Sequence, residues 1–588
     1  MVYLIQFSKI KNPTVQCDYI FSVFVRDCLT RLNLSKTLNL LQATVAEVIT
    51  DGSIESLEQY LDINELPNPE AEPAPNDNPE PAESRWKTDR KEWEWEEEAR
   101  SFTSKGKVLF PEANYTQFKE MSPSDLFDLF LDKDILDLIA TRSCEYAMAQ
   151  HGMAVSISSD DIRVFFAILI LSGYNKVTDY KLYWSNSEDT ENRLVKGAMS
   201  RNRFLLIKRC FHMGNNAELE NDRFRKVRPL AHHLLNKFTE MYVPEQELSH
   251  DEAMIKYFGK NGLKQAIRNK PIRFGYKVWV LATVSGYVVT FDLYQGKGIG
   301  AHTTHNVKTV GAAAASVLDL LDLIPEEKFS LPYHLFADNF FSSHRLIEVL
   351  GEHNIQYTGT IRQDRVKGSP PITSVDKFRK KDRGHFETVV LADQSQIVTR
   401  WNDNAPVTLI SSCLGDQPVG TAKRYNRKEK KYVDIPQPFV VNQYNKFMLG
   451  VDRFDQNNNH VRISVGGKKW YWPVVTWLVD TGVHNAWQLH RKGGGVLSLL
   501  MFKRDLVCNI LRGAAAIRSR NSSGSTGPLG ARPGDGDIRY DGILHFIKKR
   551  SLRRFCSMEG CKAKVVTYCG KCDRSVCIDH FEEYHTKS

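Results

Sequence analysis

The stretch Leu331–Ser343, LPYHLFADNFFSS, constrains the fold of this chain more than any other. Tyr333 to Ala337 form a short, mostly apolar run, which predicts a buried strand. Asp338-Asn339 follow at once. Open α/β sheets keep their chemistry just beyond the strand ends, so a carboxylate there is a candidate site residue. Asp-Asn is also an ordinary way to leave a strand. The site reading therefore depends on other carboxylates joining Asp338.

The flanking chain alternates in a way that would bury such a strand. Residues 121–247 read as helices, with Ser122-Pro123-Ser124-Asp125 capping one and Ser159-Asp160-Asp161 starting another. Basic residues recur along them and either track phosphates or form a solvated face. From residue 246 the pattern turns to strand: Glu247–Phe258, then Phe274–Leu281 and Tyr287–Tyr294 as a hairpin. An Ala-rich helix over Val310–Leu323, the Asp338 strand, a helix near 343–353 and a strand at Gln356–Ile361 complete the order β-β-β-α-β-α-β. That order predicts a ribonuclease H-like sheet, an antiparallel hairpin followed by parallel strands. Residues 362–440 interrupt it with short strands and two basic loops, Lys377–Lys381 and Lys423–Lys431. A helix at Tyr444–Arg462 and an apolar helix to about His490 follow.

Outside this body, residues 35–63 show helical spacing. Residues 64–84 are Pro-rich and acidic and predict a disordered linker. Trp86, Trp93 and Trp95 mark either a docking segment or an amphipathic lead-in. The apolar pieces YLIQF and YIFSVFV near the start are interrupted by charges and make a poor signal peptide. No apolar run is long enough to predict a membrane span. The net charge of +9 favours an anionic partner.

Of eleven cysteines, five fall between residues 556 and 577, with two histidines close behind. Their pattern is Cys556-x4-Cys561-x7-Cys569-x2-Cys572-x4-Cys577-x2-His580-x4-His585. Such crowding reads as zinc ligands in a reducing compartment. Interleaved pairs predict a cross-brace holding two Zn²⁺ ions. One would take Cys556, Cys561, Cys577 and His580. The other would take Cys569, Cys572 and His585, one ligand short of the four a structural site needs. His545 is the candidate for the fourth; Asp573, Asp579 and a water are the alternatives. Lys548, Lys549, Arg550, Arg553 and Arg554, just before the first cysteine, suit phosphate contact or nuclear import. Lys468, Lys469, Trp470 and Trp472 form a second candidate contact, with one tryptophan stacking on an unpaired base. Core packing is the competing reading.

Dispersed carboxylates do join Asp338. Asp251 lies in the first strand, and Asp452 and Asp455 share one face of a late helix. Carboxylates converging on one point repel unless a cation neutralises them, and oxygen ligands select Mg²⁺ or Mn²⁺. Two such ions serve phosphodiester transfer. With 70 acidic residues in the chain, spacing alone is a weak signal.

Six segments then decide: LSHDEAMIKYFG, KPIRFGYKVW, YQGKG, FADNFFSS, TGTIR and NKFMLGVDRFDQ, in this order. Together with SGY at 172–174, DRFRKVRP at 222–229 and NAWQLH at 485–490, they closely resemble the piggyBac family of DNA transposases and their genomic derivatives. The likeness runs from about Ser122 to the C-terminus. It implies catalytic aspartates at Asp251, Asp338 and Asp452 and an additional carboxylate at Asp455. All four are present, although some genomic derivatives of the family have lost one or more. It also implies Mg²⁺-dependent nicking of a transposon end, attack of the freed 3′-OH on the other strand to form a hairpin, and joining at TTAA. The implied partner is double-stranded DNA with terminal inverted repeats. A homodimer, a nuclear location and end-binding by the Cys/His module are expected. The spacing of four between Cys556 and Cys561 departs from the family's more usual two.

The expected fold is a multidomain α+β chain with a ribonuclease H-like catalytic core. Its parts are an atypical N-terminal segment with the linker (1–118), a helical dimerisation and DNA-binding region (119–246) and the first part of the core (247–361). A β-rich basic insertion (362–440), the last part of the core (441–511), a flexible linker (512–536) and the Cys/His domain (537–588) follow. Two other functions compete: a domesticated, non-catalytic DNA- or chromatin-binding protein that keeps the zinc module, and, more weakly, a RING-like ubiquitin ligase or histone reader.

Overall fold

The computed structural model describes residues 86, 93–96, 102, 108–214, 222–268, 270–296, 304–427, 429–523 and 545–586. The helices expected at 35–63 and the acidic linker lie outside the described residues.

Helices open the body: α1 (Pro123–Asp128), α2 (Lys133–His151), α3 (Ser159–Tyr174), α4 (Arg193–Ala198), α5 (Arg201–Cys210) and α6 (Arg228–Met241). Capping boxes start α1 and α3. Ser122 accepts from the Asp125 amide and Ser158 from the Asp161 amide, and each aspartate returns a bond to its cap. These bonds satisfy amides that would otherwise lack partners. Helix α3 is apolar nearly all round and buried, as such a helix must be.

One mixed sheet of nine strands follows. It contains β1 (Glu247–Lys256), β2 (Gln265–Ala266), β3 (Phe274–Thr283), β4 (Val288–Leu293), β5 (His334–Ala337), β6 (Gln356–Thr360), β7 (Phe386–Val390), β8 (Ile397–Asn402) and β9 (Pro406–Ser411). The order is β2-β3-β1-β5-β6-β9-β8-β7, with β4 also on β3. β1 pairs antiparallel with β3 and parallel with β5, and β5 runs parallel to β6. β9 then pairs antiparallel with β6. The strands expected to form a separate insertion thus prolong the main sheet. Local alternation cannot reveal this, because pairing across 50 residues leaves no mark in either strand.

Between and after the strands lie α7 (Thr304–Val310), α8 (Ala315–Asp322), α9 (Glu326–Phe329), α10 (His344–Glu352), α11 (Val375–Phe378), α12 (Phe439–Phe447), α13 (Gly450–Asn459), α14 (Trp472–Lys492) and α15 (Leu499–Ser523). The single helix expected at Tyr444–Arg462 is two, α12 and α13. Helix α15 runs to Ser523, so residues 512–523, expected as the start of a linker, are helical, and the rest of that linker lies outside the described residues. Ala514–Ala516 extend the helix where glycine and serine counts suggested a break.

A continuous core joins helices and sheet, from Phe130 and Phe166 through Leu248, Val280 and Leu335 to Val474 and Leu478. Two motif glycines let backbones meet in it. A Cβ on Gly173 would lie 2.2 Å from the Val461 carbonyl oxygen. A Cβ on Gly450 would lie 2.3 Å from Ser249 Oγ and 2.4 Å from the Thr283 carbonyl oxygen, so only glycine lets α13 start against β1 and β3. Asn485 of α14 bonds both the N–H and the C=O of Val288, stitching that helix to β4.

The tryptophan segment docks on this same body. Trp86 is 2% exposed, its indole N–H donates to Asp322, and its ring meets Phe329 and His353. Trp93 donates to Glu348 and Trp95 to the Lys367 carbonyl. Glu94 and Glu96 exchange backbone bonds with Ala392 and Val390 beside β7.

Two short hairpins complete the structure: β10 (Gly420–Asn426) with β11 (Lys431–Gln437), and β12 (Ile547–Phe555) with β13 (Lys564–Cys569), the latter followed by the one-turn helix α16 (Phe581–His585). Among the described residues no helix is long and apolar enough to cross a membrane.

Candidate functional site

β1, the loop after β5 and the first turn of α13 each contribute a carboxylate to one region. The β1–β5 register sets His250 beside Ala337, so Asp251, midway along β1, lies level with Asp338, which follows the end of the neighbouring parallel strand β5. Asp452 enters from α13, which Gly450 lets rest on β1. Its place in the first turn suits an anion.

The Asp338 loop is held from several sides. Asp338 Oδ1 accepts the Phe340 N–H at 2.8 Å, and its carbonyl accepts Ser342 Oγ at 3.0 Å. Arg365 Nη1 donates to the carbonyls of Asn339, Phe340 and Ser342 at 3.2, 2.5 and 3.3 Å. Below it, His334 Nε2 lies 2.8 Å from Thr358 Oγ1, which lies 2.8 Å from Ser411 Oγ, a polar chain across β5, β6 and β9.

The electrostatics are those of crowded acids. Burial, then the charges of Glu252 and Asp338, push Asp251 up to about 8 despite Lys270 and the Glu252 amide. Burial likewise raises Asp338, with Glu252 adding to it. Burial and Asp452 push Asp455 up to about 6 against Arg462 and Lys270. Lys270 Nζ sits 3.3 Å from Asp251 Oδ2 and 3.4 Å from Glu252 Oε1. Burial works against its ammonium, but the two acids outweigh it and its pKa is raised. The Tyr444 phenol is raised first by burial and then by Asp338, Asp251 and Asp452 together. Lys277 lies 3.6 Å above the Trp279 ring and 5.0 Å from that of Phe340. Glu252, Lys270, Lys277, Arg365 and Tyr444 were not singled out in the sequence. Lys270 and Lys277 stand in KPIRFGYKVW, where a lysine carries no local sign of facing a carboxylate.

The second site is the Cys/His module. The ligand atoms of His545, Cys569, Cys572 and His585 all lie within 4.8 Å of one another, as do those of Cys556, Cys561, Cys577 and His580. A tetrahedral Zn²⁺ with sulfur bonds near 2.3 Å implies ligand separations of roughly 3.5–3.8 Å. Cys556 and Cys577 sulfurs are 3.7 Å apart. His545 Nδ1 lies 3.4 Å from Cys569 Sγ and 3.5 Å from Cys572 Sγ, and His585 Nε2 lies 3.5 Å from Cys572 Sγ. His585 Nδ1 lies 2.7 Å from the Phe581 carbonyl, a contact that leaves Nε2 for a metal. The structure thus brings His545 into the three-ligand set, and neither Asp573 nor Asp579 belongs to either group.

The two proposed nucleic-acid contacts fare differently. Trp472 is 2% exposed, packs on Phe165 and Phe211 and donates to the Val465 carbonyl, so it is a core residue and not a stacking platform. Lys469 is turned inward onto the Phe211 carbonyl at 2.6 Å, and burial pushes it down to about 8. Trp470 is half-buried against Phe224 and Tyr276, and Lys468 is exposed. Lys548, Lys549, Arg553 and Arg554 are exposed on β12, whereas Arg550 lies over the Tyr568 ring and pairs with Asp573.

A transposase family model, Transposase IS4, matches residues 122–487. The chain belongs to the piggyBac family of transposases and transposase-derived proteins. It is 37% identical over 470 residues to human PiggyBac transposable element-derived protein 3, covering 79% of this chain and 76% of that one. It is 32% identical over 472 residues to human PiggyBac transposable element-derived protein 2, covering 80% and 77%. The fold is similar to a piggyBac transposase solved by cryo-EM as a synaptic complex with hairpin DNA. The TM-score is 0.57 and the identity 19%, over 79% of this chain and 97% of that one.

Proposed function

We propose that the chain is a metal-dependent DNA strand-transfer enzyme, with Asp251, Asp338 and Asp452 as ligands of Mg²⁺ or Mn²⁺ and Asp455 as an additional carboxylate. The observation that carries this reading is the convergence of acids from β1, the β5 loop and α13, whose charges act on one another and on Tyr444. The donor set fits a hard cation. Asp251 and Asp455 are held well above the usual carboxylate range, and Asp455 Oδ1 is buried, 3.8 Å from Arg462 Nη2, and accepts no hydrogen bond among the described residues. When bound, such ions activate an oxygen nucleophile and stabilise the leaving oxygen. The chain's own residues position that chemistry: Arg365 fixes the Asp338 loop, Gly450 sets the approach of α13, and Lys270 offsets the negative charge. The antiparallel β3–β1 pair followed by parallel β5 and β6 supports a ribonuclease H-like core.

The substrate in this reading is double-stranded DNA bearing terminal inverted repeats. It is nicked, closed to a hairpin and joined at TTAA by a nuclear homodimer. Two Zn²⁺ ions order the C-terminal module, which grips the ends through β12. The solved relative's hairpin-DNA complex supports the DNA partner. A second reading, a non-catalytic DNA-binding protein that keeps the module, draws on the two human relatives, both named as element-derived.

The test is cleavage of labelled duplexes carrying candidate terminal repeats, with Mg²⁺, by the full chain. Wild type is expected to nick and form hairpins. Asp338→Ala is expected to bind the same DNA and cut nothing, since affinity comes mainly from basic contacts. Cleavage by Asp338→Ala at the wild-type rate refutes the ligand assignment. Binding without cleavage by wild type establishes the second reading.

A further inference from the structure

Among the described residues the β10–β11 ribbon pairs with no other strand. Its register alternates two faces. Ala422, Arg424 and Asn426 with their partners Ile435, Val433 and Lys431 form one, and Lys423 and Tyr425 with Asp434 and Tyr432 form the other. The first face is anchored. Ala422 and Ile435 join a cluster with Phe336 of β5, Trp401 and Tyr444. The second face is open: Tyr425 is 48% and Tyr432 71% exposed, directly opposite each other with ring centroids 5.4 Å apart.

A distant basic segment is clipped to the same place. Asp403 Oδ1 accepts Arg383 Nε and Nη2 at 2.9 and 2.7 Å, and Asp403 Oδ2 accepts Arg424 Nε at 3.0 Å. Arg383 also reaches the Tyr425 carbonyl at 3.4 Å. The loop Lys377–Lys381 is thereby brought beside the ribbon, and Lys377, Arg379, Lys380, Lys381, Lys423 and Arg427 are all exposed. Two basic runs some 40 residues apart thus flank the ribbon: the Asp403 clip meets it at Arg424 on the anchored face, and Lys423 shares the open face with the exposed rings of Tyr425 and Tyr432.

We infer that this surface is a second DNA contact, separate from the Cys/His module, which grips the phosphate backbone of the duplex leading into the carboxylate site. The inference rests on the DNA reading proposed above. A two-stranded ribbon fits the major groove. The lysines and arginines match the phosphates, and Tyr425 and Tyr432 offer ring faces and hydroxyls to the groove wall. Position adds to charge. The ribbon's root and β5 share one apolar cluster, and Asp338 follows the last residue of β5, so DNA held here is set at a fixed distance from the acids. The aromatic pair is not explained by the core, since the outer face packs against nothing else described.

The test measures binding of a fluorescent duplex to the full chain across a salt series. Lys380→Ala/Lys423→Ala/Arg427→Ala should bind roughly tenfold or more weakly, with a log–log salt slope shallower by about 2.7, or 0.9 per lost phosphate contact. Tyr425→Ser/Tyr432→Ser should weaken binding several-fold with the slope unchanged. Both sets alter exposed side chains only, and thermal unfolding should match wild type. If wild type binds the duplex and both variants bind as tightly with the same slope, this inference fails while the DNA reading stands. If wild type binds no duplex, both fail. Variants that keep DNA binding but lose binding to polyglutamate assign the surface to acidic polypeptides and overturn the inference.

Discussion

Lys503 Nζ donates to Asp480 Oδ1 at 2.7 Å, and the two side chains are 0% and 4% exposed. The pair joins α15 to α14, and it also holds the chain just after α13. Lys503 donates to the Val461 carbonyl at 3.0 Å, and Asp480 Oδ2 accepts the Ile463 N–H at 3.0 Å. The helix bearing Asp452 and Asp455 is thus tied down at its exit by a buried ion pair some 20–40 residues further along.

Lys503→Met should lower stability by about 3–5 kcal/mol, because it leaves the Asp480 charge buried and unpaired. Lys503→Met/Asp480→Leu should recover much of that loss, since both desolvation penalties vanish together. Chemical denaturation of the three proteins checks this. Equal midpoints for wild type and Lys503→Met would show that the pair contributes nothing to the fold.

His545→Ala should remove one zinc from the full chain and leave the other. The set Cys569, Cys572 and His585 would retain three ligands and an open position, which suits slow or partial occupancy. The set built on Cys556 shares no ligand with it. Metal content after dialysis is expected to fall from two zinc ions to about one, or to less than half occupancy of the second site. Two tightly held ions in the variant would remove His545 from the ligand set.

Stability should fall on mild acidification through buried histidines. Burial holds both His334 and His484 down to about 3, with Lys503 adding to the effect at His484. The ordinary value is near 6.5. As pH drops below that value the unfolded chain takes up protons that the folded chain refuses. The stabilisation is therefore fully present above about pH 6.5 and is lost progressively toward pH 3, at up to roughly 1.4 kcal/mol per unit per histidine. Denaturation midpoints at neutral and mildly acidic pH measure the slope. His484→Gln, which keeps a polar group beside Asn457 and Gln488, should flatten it, and an unchanged slope would assign the acid sensitivity elsewhere.

Much of the site could be read from the chain, for a physical reason. A buried strand leading into a carboxylate is marked locally by Tyr333–Asp338, and the two Cys/His groups are marked by residue type and spacing. His545 was reachable because three ligands demand a fourth. Burial by distant elements is not marked locally. Trp472 and Lys469 look like a nucleic-acid contact in KKWYW, but Phe165, Phe211 and Tyr146 close over them from α2, α3 and beyond. Glu252 follows Asp251 in a strand, where alternation assigns it to the opposite face, yet Lys270 bridges both. The pairing of β6 with β9 was hidden for the same reason. The two-way split of the Trp86–Trp95 reading was settled only by Asp322, Glu348 and Lys367, residues more than 200 positions away.

That tryptophan strap has a practical corollary for anyone trimming the protein. The family likeness starts at about residue 122, and a cut placed there would look safe on sequence grounds. It would strip the indole of Trp86 from between Phe329 and His353 and uncover the end of β7 at Val390–Ala392, where Glu94 and Glu96 now pair. The shortened chain should then show a raw sheet border, the kind of edge that recruits other strands and precipitates. The working boundary of the folded body lies near residue 84, well upstream of where its ancestry becomes recognisable.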